Sequence, residues 1–174
     1  SIGLSVSESS KKANYIASKC VSVLGNYTAT QEYLKEANEL VIFTNGCFDI
    51  LHVGHVKLLE SCKAFGGKVI VGLNSDTSVR KLKGKERPFN NVNARKKILE
   101  SLKVVDQVII FEEETPYELI KKIQPDIIVK GGDYQKEDII GKDIVEGKGG
   151  RVEIFPFVGK YSTTLLAQKI KNNE

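Results

Sequence analysis

The sequence is poor in cysteine and histidine and has no long apolar run. Its 174 residues include three cysteines, Cys20, Cys47 and Cys62, and two histidines. The cysteines are odd in number and form no CxxC pair, which indicates reduced thiols in a cytoplasmic protein rather than a disulfide framework. No stretch approaches the ~18 apolar residues of a membrane span. The N-terminus has no basic start followed by an apolar core, so we also expect no secretory signal.

The charge excess is small. Lysine and arginine number 26 against 22 aspartates and glutamates, a net charge of +4. This balance suits an enzyme for phosphorylated substrates, and equally a protein with ordinary solvated lysines. The densest basic stretch, residues 80–88, has no interleaved aromatic residues, and so we do not expect nucleic-acid binding.

Short runs rich in valine and isoleucine alternate with helix-period segments from residue 41 onward. We predict strands at 41–43, 68–73, 104–111, 126–129 and 151–155, and helices near 53–65, 93–103, from Thr115 onward and at 163–171. Thr115, Pro116 and Glu118 suggest that the third helix starts with a threonine cap. The pattern predicts a doubly wound, Rossmann-like α/β fold: a parallel sheet of about five strands with helices on both faces.

The first forty residues differ from the rest. A helix-period stripe runs through 13–24, followed by a second short helical segment ending at Leu40. We therefore divide the chain into an N-terminal helical extension, 1–40, and an α/β domain, 41–174.

Polar clusters follow the predicted strands at 44–55, 74–76 and 130–134. Because open parallel sheets bind ligands beyond the carboxyl ends of their strands, these clusters predict one ligand site. The two histidines, His52 and His55, lie three residues apart at a helix start, with Gly54 between them. A helix N-terminus attracts anions, and two imidazoles on one face would make a small cationic donor array for a phosphate. The alternative is a zinc site formed by Cys47, His52 and His55.

Segment 44–55, TNGCFDILHVGH, resembles the signature of the HxGH nucleotidyltransferase superfamily, which includes the cytidylyltransferases. With Asn74-Ser75-Asp76, the KGGDY segment at 130–134 and Ser162-Thr163-Thr164, the chain is similar over roughly residues 40–171 to the heptose adenylyltransferases.

This resemblance implies transfer of AMP from ATP, with Mg²⁺ on the triphosphate, to D-glycero-β-D-manno-heptose 1-phosphate. The products are ADP-heptose and pyrophosphate, for lipopolysaccharide core assembly. It also implies a homodimer. Residues 13–30 resemble the tail of the sugar kinase domain that precedes this enzyme in many bacteria, so we expect a C-terminal fragment of a bifunctional chain. The alternative is a native helical arm that covers a dimer surface.

The resemblance, together with the position of the basic stretch 80–88 after the second strand, predicts the site residues. His52, His55 and Lys83 are predicted to be catalytic, and no metal ligands are expected. The predicted nucleotide contacts are Asn45, Gly46, Cys47, Phe48, Gly54, Asn74, Asp76, Lys130, Gly131, Tyr161, Ser162, Thr163 and Thr164. The predicted contacts of the acceptor substrate are Asp49, Arg87, Arg95 and Asp133. Lys83 and Arg87 belong to the basic stretch 80–88, which we interpret as a mobile flap.

Two other functions stay open. The first is a CTP-dependent transferase acting on glycerol 3-phosphate or a similar alcohol phosphate. Related cytidylyltransferases carry an arginine shortly before the Ser-Thr-Thr segment, whereas only Lys160 stands there in this chain, which counts against that assignment. The second is a nucleotide-binding regulatory module without catalysis, which would not need both histidines.

Overall fold

A computed structural model of the chain describes residues 39–132, 134–156 and 162–172. The strands are β1 (Val41–Gly46), β2 (Lys68–Asn74), β3 (Gln107–Phe111), β4 (Ile127–Gly131) and β5 (Arg151–Phe155). They form one sheet in the order β3-β2-β1-β4-β5, and every neighbouring pair is parallel. The predicted parallel sheet of five strands is confirmed.

Helices cover both faces of the sheet. They are α1 (Val53–Ala64), α2 (Asp76–Lys83), α3 (Val92–Glu100), α4 (Tyr117–Ile123), α5 (Lys142–Gly147) and α6 (Thr163–Lys171), with a 3₁₀ turn at Lys136–Asp138. Leu59 of α1 and Leu99 of α3 pack in one core cluster. Ile120 of α4 and Val145 of α5 pack in a second cluster, on the other side of the sheet. The fold is therefore doubly wound, as predicted.

The central strand β1 is buried on both faces. Ile42 packs into the first core cluster and Phe43 into the second, and both side chains are fully buried. Successive residues of a strand point to opposite faces, so a strand covered on both sides needs apolar residues at every position. This requirement explains the unbroken run Val41-Ile42-Phe43.

The strand order reverses beside β1. The chain moves from β1 to β2 and β3 on one side, and β4 and β5 lie on the other side. The connections therefore diverge from the carboxyl ends of β1 and β4, which leaves a crevice there. This crevice is where the fold places the polar clusters identified in the sequence.

Several element predictions need correction. The stretch 80–88 was predicted to be a flap, but its first half belongs to α2, whose N-cap Ser75 accepts a hydrogen bond from Ser78 N. This helix is hard to recognise in the sequence, because most of its residues are polar or charged and only Val79 and Leu82 mark its apolar face. Helix α5 was also missed. The threonine cap at Thr115 is wrong, since Pro116 is the N-cap and makes no side-chain capping bond.

Part of the predicted organisation lies outside the described residues. The helical segments, the kinase-like tail and most of the extension 1–40 fall in the range 1–38. Among the residues that the structure describes, no helix has the length and apolarity needed to cross a membrane.

We predict that Gly72→Ala destabilises the fold by about 1–3 kcal/mol, because extra core volume forces strain. A methyl group at Gly72 would lie 2.7 Å from Cζ of Phe43 and 3.1 Å from Cβ of Asn45, between β2 and β1. Urea unfolding measures the effect. Gly147→Ala at the end of α5 is the matched control, because nothing lies within 4 Å of its added methyl group. Equal stabilities of the two variants would contradict the prediction.

Candidate active site

A cleft of about 570 Å³ opens at the carboxyl ends of the strands. It contains most of the predicted site residues: Asn45, Gly46, Cys47, Phe48, Asp49, His52, Gly54, His55, Asn74, Lys83, Arg87, Lys130, Gly131, Ser162, Thr163 and Thr164. Asp76 and Arg95 do not line it. Asp133 and Tyr161 lie outside the described residues.

His52 and His55 form a stacked pair at the start of α1. Their ring centroids are 3.7 Å apart with an interplanar angle of 18°, and His55 also contacts the ring of Phe48 at 5.1 Å. His52 is the N-cap of α1, and its carbonyl accepts from His55 N at 2.9 Å. The helix geometry therefore brings both imidazoles to one place, as their spacing predicted.

The histidine pair is neutral near pH 7, which corrects the expectation of a cationic array. Burial, with a smaller contribution from the neighbouring His52, lowers the pKa of His55 to about 4. Burial also lowers the pKa of His52. The Nδ1 atoms of both rings are buried and have no hydrogen-bond partner in the described parts of the chain. Because buried polar atoms are nearly always paired, two such atoms at one cleft favour a site built for a ligand.

Lys130 and Asn45 join the ends of β4 and β1 at the point where the strand order reverses. Lys130 Nζ donates to Asn45 Oδ1 at 2.8 Å. Burial lowers the pKa of Lys130 to about 8, so the amine is still mostly charged at neutral pH. Its partner is a neutral amide. Among the described residues no carboxylate pairs with Lys130, and the cleft therefore holds a half-buried cation that an anionic ligand would stabilise.

The corner after β1 is formed by Cys47 and Phe48. Phe48 has a φ of 44°, in the left-handed region that a bulky residue rarely adopts. Its ring is 4% exposed, so packing holds this conformation. Burial raises the pKa of the Cys47 thiol despite nearby Lys83, Arg95 and Arg87, which makes a thiolate nucleophile unfavourable.

Asp49 and Arg95, both predicted to contact the acceptor, are bound to other groups of the protein. Asp49 touches the cleft, but its carboxylate is 2% exposed and accepts from Arg87 and from main-chain amides. Arg95 is fully buried and donates to Asn90 O, Cys47 O and Asp76 Oδ1 at 2.9, 2.6 and 2.7 Å. Asp76, a predicted nucleotide contact, is the partner of that arginine. Both carboxylates therefore hold arginines in place.

The start of α6 lies close to the first helix of the site. Thr163 Oγ1 donates to Ile50 O at 3.3 Å, in the loop between β1 and α1. Ser162, Thr163 and Thr164 line the same cleft as His52. Two helix N-termini thus meet at one cavity, an arrangement that favours an anion with several phosphate groups.

The profile of the cytidylyltransferase-like family matches residues 43–166, well over half of the chain. The chain belongs to the cytidylyltransferase-like family. This confirms the family, and the class of enzyme, that the motifs at 44–55 and 162–164 predicted.

Curated relatives of the chain include bifunctional HldE proteins. The chain is 52% identical over 141 residues to that of Aliarcobacter butzleri (strain RM4018), covering 81% of this chain and 29% of the relative. It is 53% identical to that of Geotalea uraniireducens (strain Rf4), covering 79% and 28%. It is 42% identical to that of Trichlorobacter lovleyi (strain ATCC BAA-1151 / DSM 17278 / SZ), covering 97% and 40%. The chain thus spans well under half the length of each relative.

Solved structures agree on the fold. The lipopolysaccharide core biosynthesis protein from Thermoplasma volcanium GSS1 is 30% identical, with a TM-score of 0.57 over 72% of this chain and 100% of that chain. A protein with unknown function from Archaeoglobus fulgidus is 20% identical, with a TM-score of 0.51 over 71% and 93%. The second likeness concerns the fold alone.

The cleft also contains residues that the sequence analysis missed. Glu114, Thr115 and Pro116 follow β3, and Asp138 lies in the 3₁₀ turn after β4. Residues 114–116 come shortly after a strand whose carboxyl end meets the cleft, but in the sequence Thr115 and Pro116 indicate only a helix start. No motif marks Glu114 or Asp138, whereas Tyr134, which also lines the cleft, belongs to the predicted cluster 130–134.

The zinc alternative is not supported. Among the described residues, no three His, Cys, Asp or Glu side chains are grouped so that they could hold a metal ion. The two imidazoles stack face to face rather than converging on one point, which does not suit tetrahedral coordination.

We predict that the two imidazoles titrate below the ordinary histidine range, His55 with a pKa of about 4. The unfolded chain binds this proton at about pH 6.5, so stability is expected to fall as the pH drops from about 6.5 towards 4. NMR titration can follow both rings, because the chain has only two histidines, and His52→Gln assigns them. Two midpoints near 6.5 would contradict the burial of the pair.

Proposed function

We propose that the chain transfers AMP from ATP to D-glycero-β-D-manno-heptose 1-phosphate, giving ADP-heptose and pyrophosphate. The observation that carries the proposal is the convergence of four anion-binding features on one cleft. These are the histidine pair at the start of α1, the half-buried Lys130, the start of α6 and the cations Lys83 and Arg87. The names of the HldE relatives and of the Thermoplasma lipopolysaccharide protein support the heptose assignment.

In the proposed reaction, a phosphate oxygen of the acceptor attacks the α-phosphorus of ATP. A bond forms between that oxygen and phosphorus, while the bond from the α-phosphorus to the bridging oxygen breaks and pyrophosphate leaves. The acceptor is already an anion at neutral pH, so no general base or covalent enzyme intermediate is needed. The difficulty is the meeting of two anions, and so the protein contributes positioning and electrostatic stabilisation.

We assign the nucleotide phosphates to the side of the cleft formed by α1, β4 and α6. The neutral imidazoles of His52 and His55 donate hydrogen bonds to phosphate oxygens, and Lys130 supplies a positive charge beside them. The N-termini of α1 and α6 add fixed dipoles. Apolar side chains of Leu58, Ile139, Ile140 and Phe155 line the adjoining wall, which suits the adenine base.

The acceptor phosphate is assigned to the opposite side, where Lys83 and Arg87 line the cleft. These cations lie on the connection between β2 and α3, whereas Lys130 lies on β4, on the other side of β1 in the sheet. The cleft therefore has cations from both sides of β1, which suits a reaction that joins two phosphorylated molecules. Glu114 and Thr115 at the end of β3 extend this side with acceptors for sugar hydroxyls.

Mg²⁺ is proposed to arrive with ATP. The described residues have no cluster of His, Cys, Asp or Glu for a metal ion, so they do not fit a resident ion. The Mg²⁺ ligands that we propose are phosphate oxygens and water.

We also propose, from the kinase-like segment 13–30, that the chain is part of a bifunctional protein. A further proposal is that the chain forms a homodimer. Size-exclusion chromatography with light scattering tests the dimer.

The test is pyrophosphate release from the chain incubated with each nucleotide and acceptor. We expect release with ATP and heptose 1-phosphate, and ADP-heptose as the product by mass spectrometry. Because the family is named for cytidylyltransferases, the same assay is also run with CTP and glycerol 3-phosphate. Activity with CTP alone would overturn the proposal, and nucleotide binding without any release would favour a regulatory module.

We predict that His55→Ala lowers kcat by about a hundredfold, the usual cost of losing one transition-state hydrogen-bond donor. Steady-state kinetics of pyrophosphate release measure the loss. Lys57→Ala is the matched control, because Lys57 is an exposed residue of the same helix that does not line the cleft. A His55→Ala enzyme with the kcat of the control would contradict the assignment.

A further inference from the structure

The carboxylate of Asp49 is enclosed by the loop at 87–90. It accepts from Phe89 N at 2.8 Å, from Asn90 N at 3.0 Å and from Arg87 Nε at 2.6 Å. Asn90 Nδ2 also donates to the main-chain oxygen of Asp49 at 2.9 Å. One buried aspartate thus fixes both the path of the loop and the arginine at its start.

Asp49 is ionised in this setting. Burial alone would raise its pKa, but the hydrogen bonds from Asn90, Phe89 and Arg87 outweigh it and lower the pKa. An ionised carboxylate repels a phosphate and accepts hydrogen bonds only. Asp49 is therefore unsuited to contact an acceptor phosphate directly.

Arg87 is held on two sides. Its Nε donates to Asp49, and its Cζ lies 4.6 Å above the ring of Phe89. Its side chain is 13% exposed and lines the cleft. The two terminal nitrogens make no hydrogen bond within the described residues, and they form the edge of the guanidinium that binds phosphate in a bidentate manner.

Arg95 secures the same loop from the other end. It joins Asn90 O to Cys47 O, so the loop is attached to the corner that precedes the histidine pair. Hydrogen bonds therefore join the loop, Arg87 and the β1 corner into one unit. This connection matters because misplacing a reacting group by about 1 Å can cost about a hundredfold in rate.

We propose that Asp49 is a positioning residue, which orients Arg87 so that its terminal nitrogens bind the phosphate of the acceptor. This inference rests on the proposed function and extends it, because it names the group that holds the acceptor and the residue that aims it. It replaces the direct substrate contact that the sequence predicted for Asp49.

Asp49→Asn is a sharp test. The remaining oxygen can still accept from Phe89 N and Asn90 N, whereas the new amide NH₂ faces the Nε–H of Arg87, donor against donor. We expect KM for the acceptor to rise about ten- to a hundredfold, because a charge-assisted hydrogen bond is lost. We expect KM for ATP to change less than about threefold, within the scatter of single-contact effects. A fall in kcat with an unchanged acceptor KM would overturn the proposal.

A double-mutant cycle decides whether Asp49 acts through Arg87. Arg87→Ala should raise the acceptor KM at least as much as Asp49→Asn, and the double variant should be no worse than Arg87→Ala alone. Multiplying effects would overturn the proposal. Asp106→Asn is the matched control, since Asp106 accepts from Lys63 Nζ and Val69 N, both at 2.7 Å, and does not line the cleft.

Failure of the proposed function is separable from failure of this inference. If the unmodified chain releases no pyrophosphate with either nucleotide, the proposed function fails. The same cycle is then measured with inorganic phosphate as the probe, by chemical-shift titration. Loss of phosphate affinity in Asp49→Asn that disappears in the Arg87→Ala background supports the positioning role, and additive loss or no loss overturns it.

Discussion

The site depends on the position of β1 at the centre of a parallel sheet. Pairing with β2 on one side and β4 on the other sends the following connections to opposite faces, and the ends of β1 and β4 are left facing a crevice. The bond between Lys130 and Asn45 spans that crevice. The histidine pair follows the end of β1, and the start of α6 is joined to the same connection by the hydrogen bond from Thr163 Oγ1 to Ile50 O.

The cleft combines neutral imidazoles with cations, a combination that suits an anionic ligand. Burial keeps the imidazoles neutral near pH 7 and brings the pKa of Lys130 to about 8. The arginines are treated differently, because a guanidinium stays charged. Arg95 is paired with Asp76 and Arg87 with Asp49. Among the described residues of the cleft, the imidazoles and Lys130 have no carboxylate partner, whereas Arg87 is paired with one.

Two networks give the cleft its shape. In the first, Asp49 and Arg95 hold the loop at 87–90 against the β1 corner. In the second, Asn74 Nδ2 donates to Ser78 Oγ at 2.9 Å, which fixes the start of α2 at the end of β2. Phe48 keeps a left-handed backbone because it is packed among these elements. The connection that carries Lys83 and Arg87 is therefore anchored at both ends, and its cations face the cleft from a defined direction.

The order of apolar runs and helix-period segments by itself determined the parallel sheet, because strand burial and helix spacing act over a few residues. The motif at 44–55 indicated the family. His52 and His55 could be paired from their spacing alone. Only the tertiary structure decided the charge state and the partners of the side chains in the cleft. The neutrality of the histidines depends on burial, and the buried roles of Asp49, Asp76 and Arg95 depend on partners 19 to 48 residues away. An aspartate that faces a ligand and an aspartate that is buried against an arginine look alike in the sequence. Only long-range packing distinguishes them.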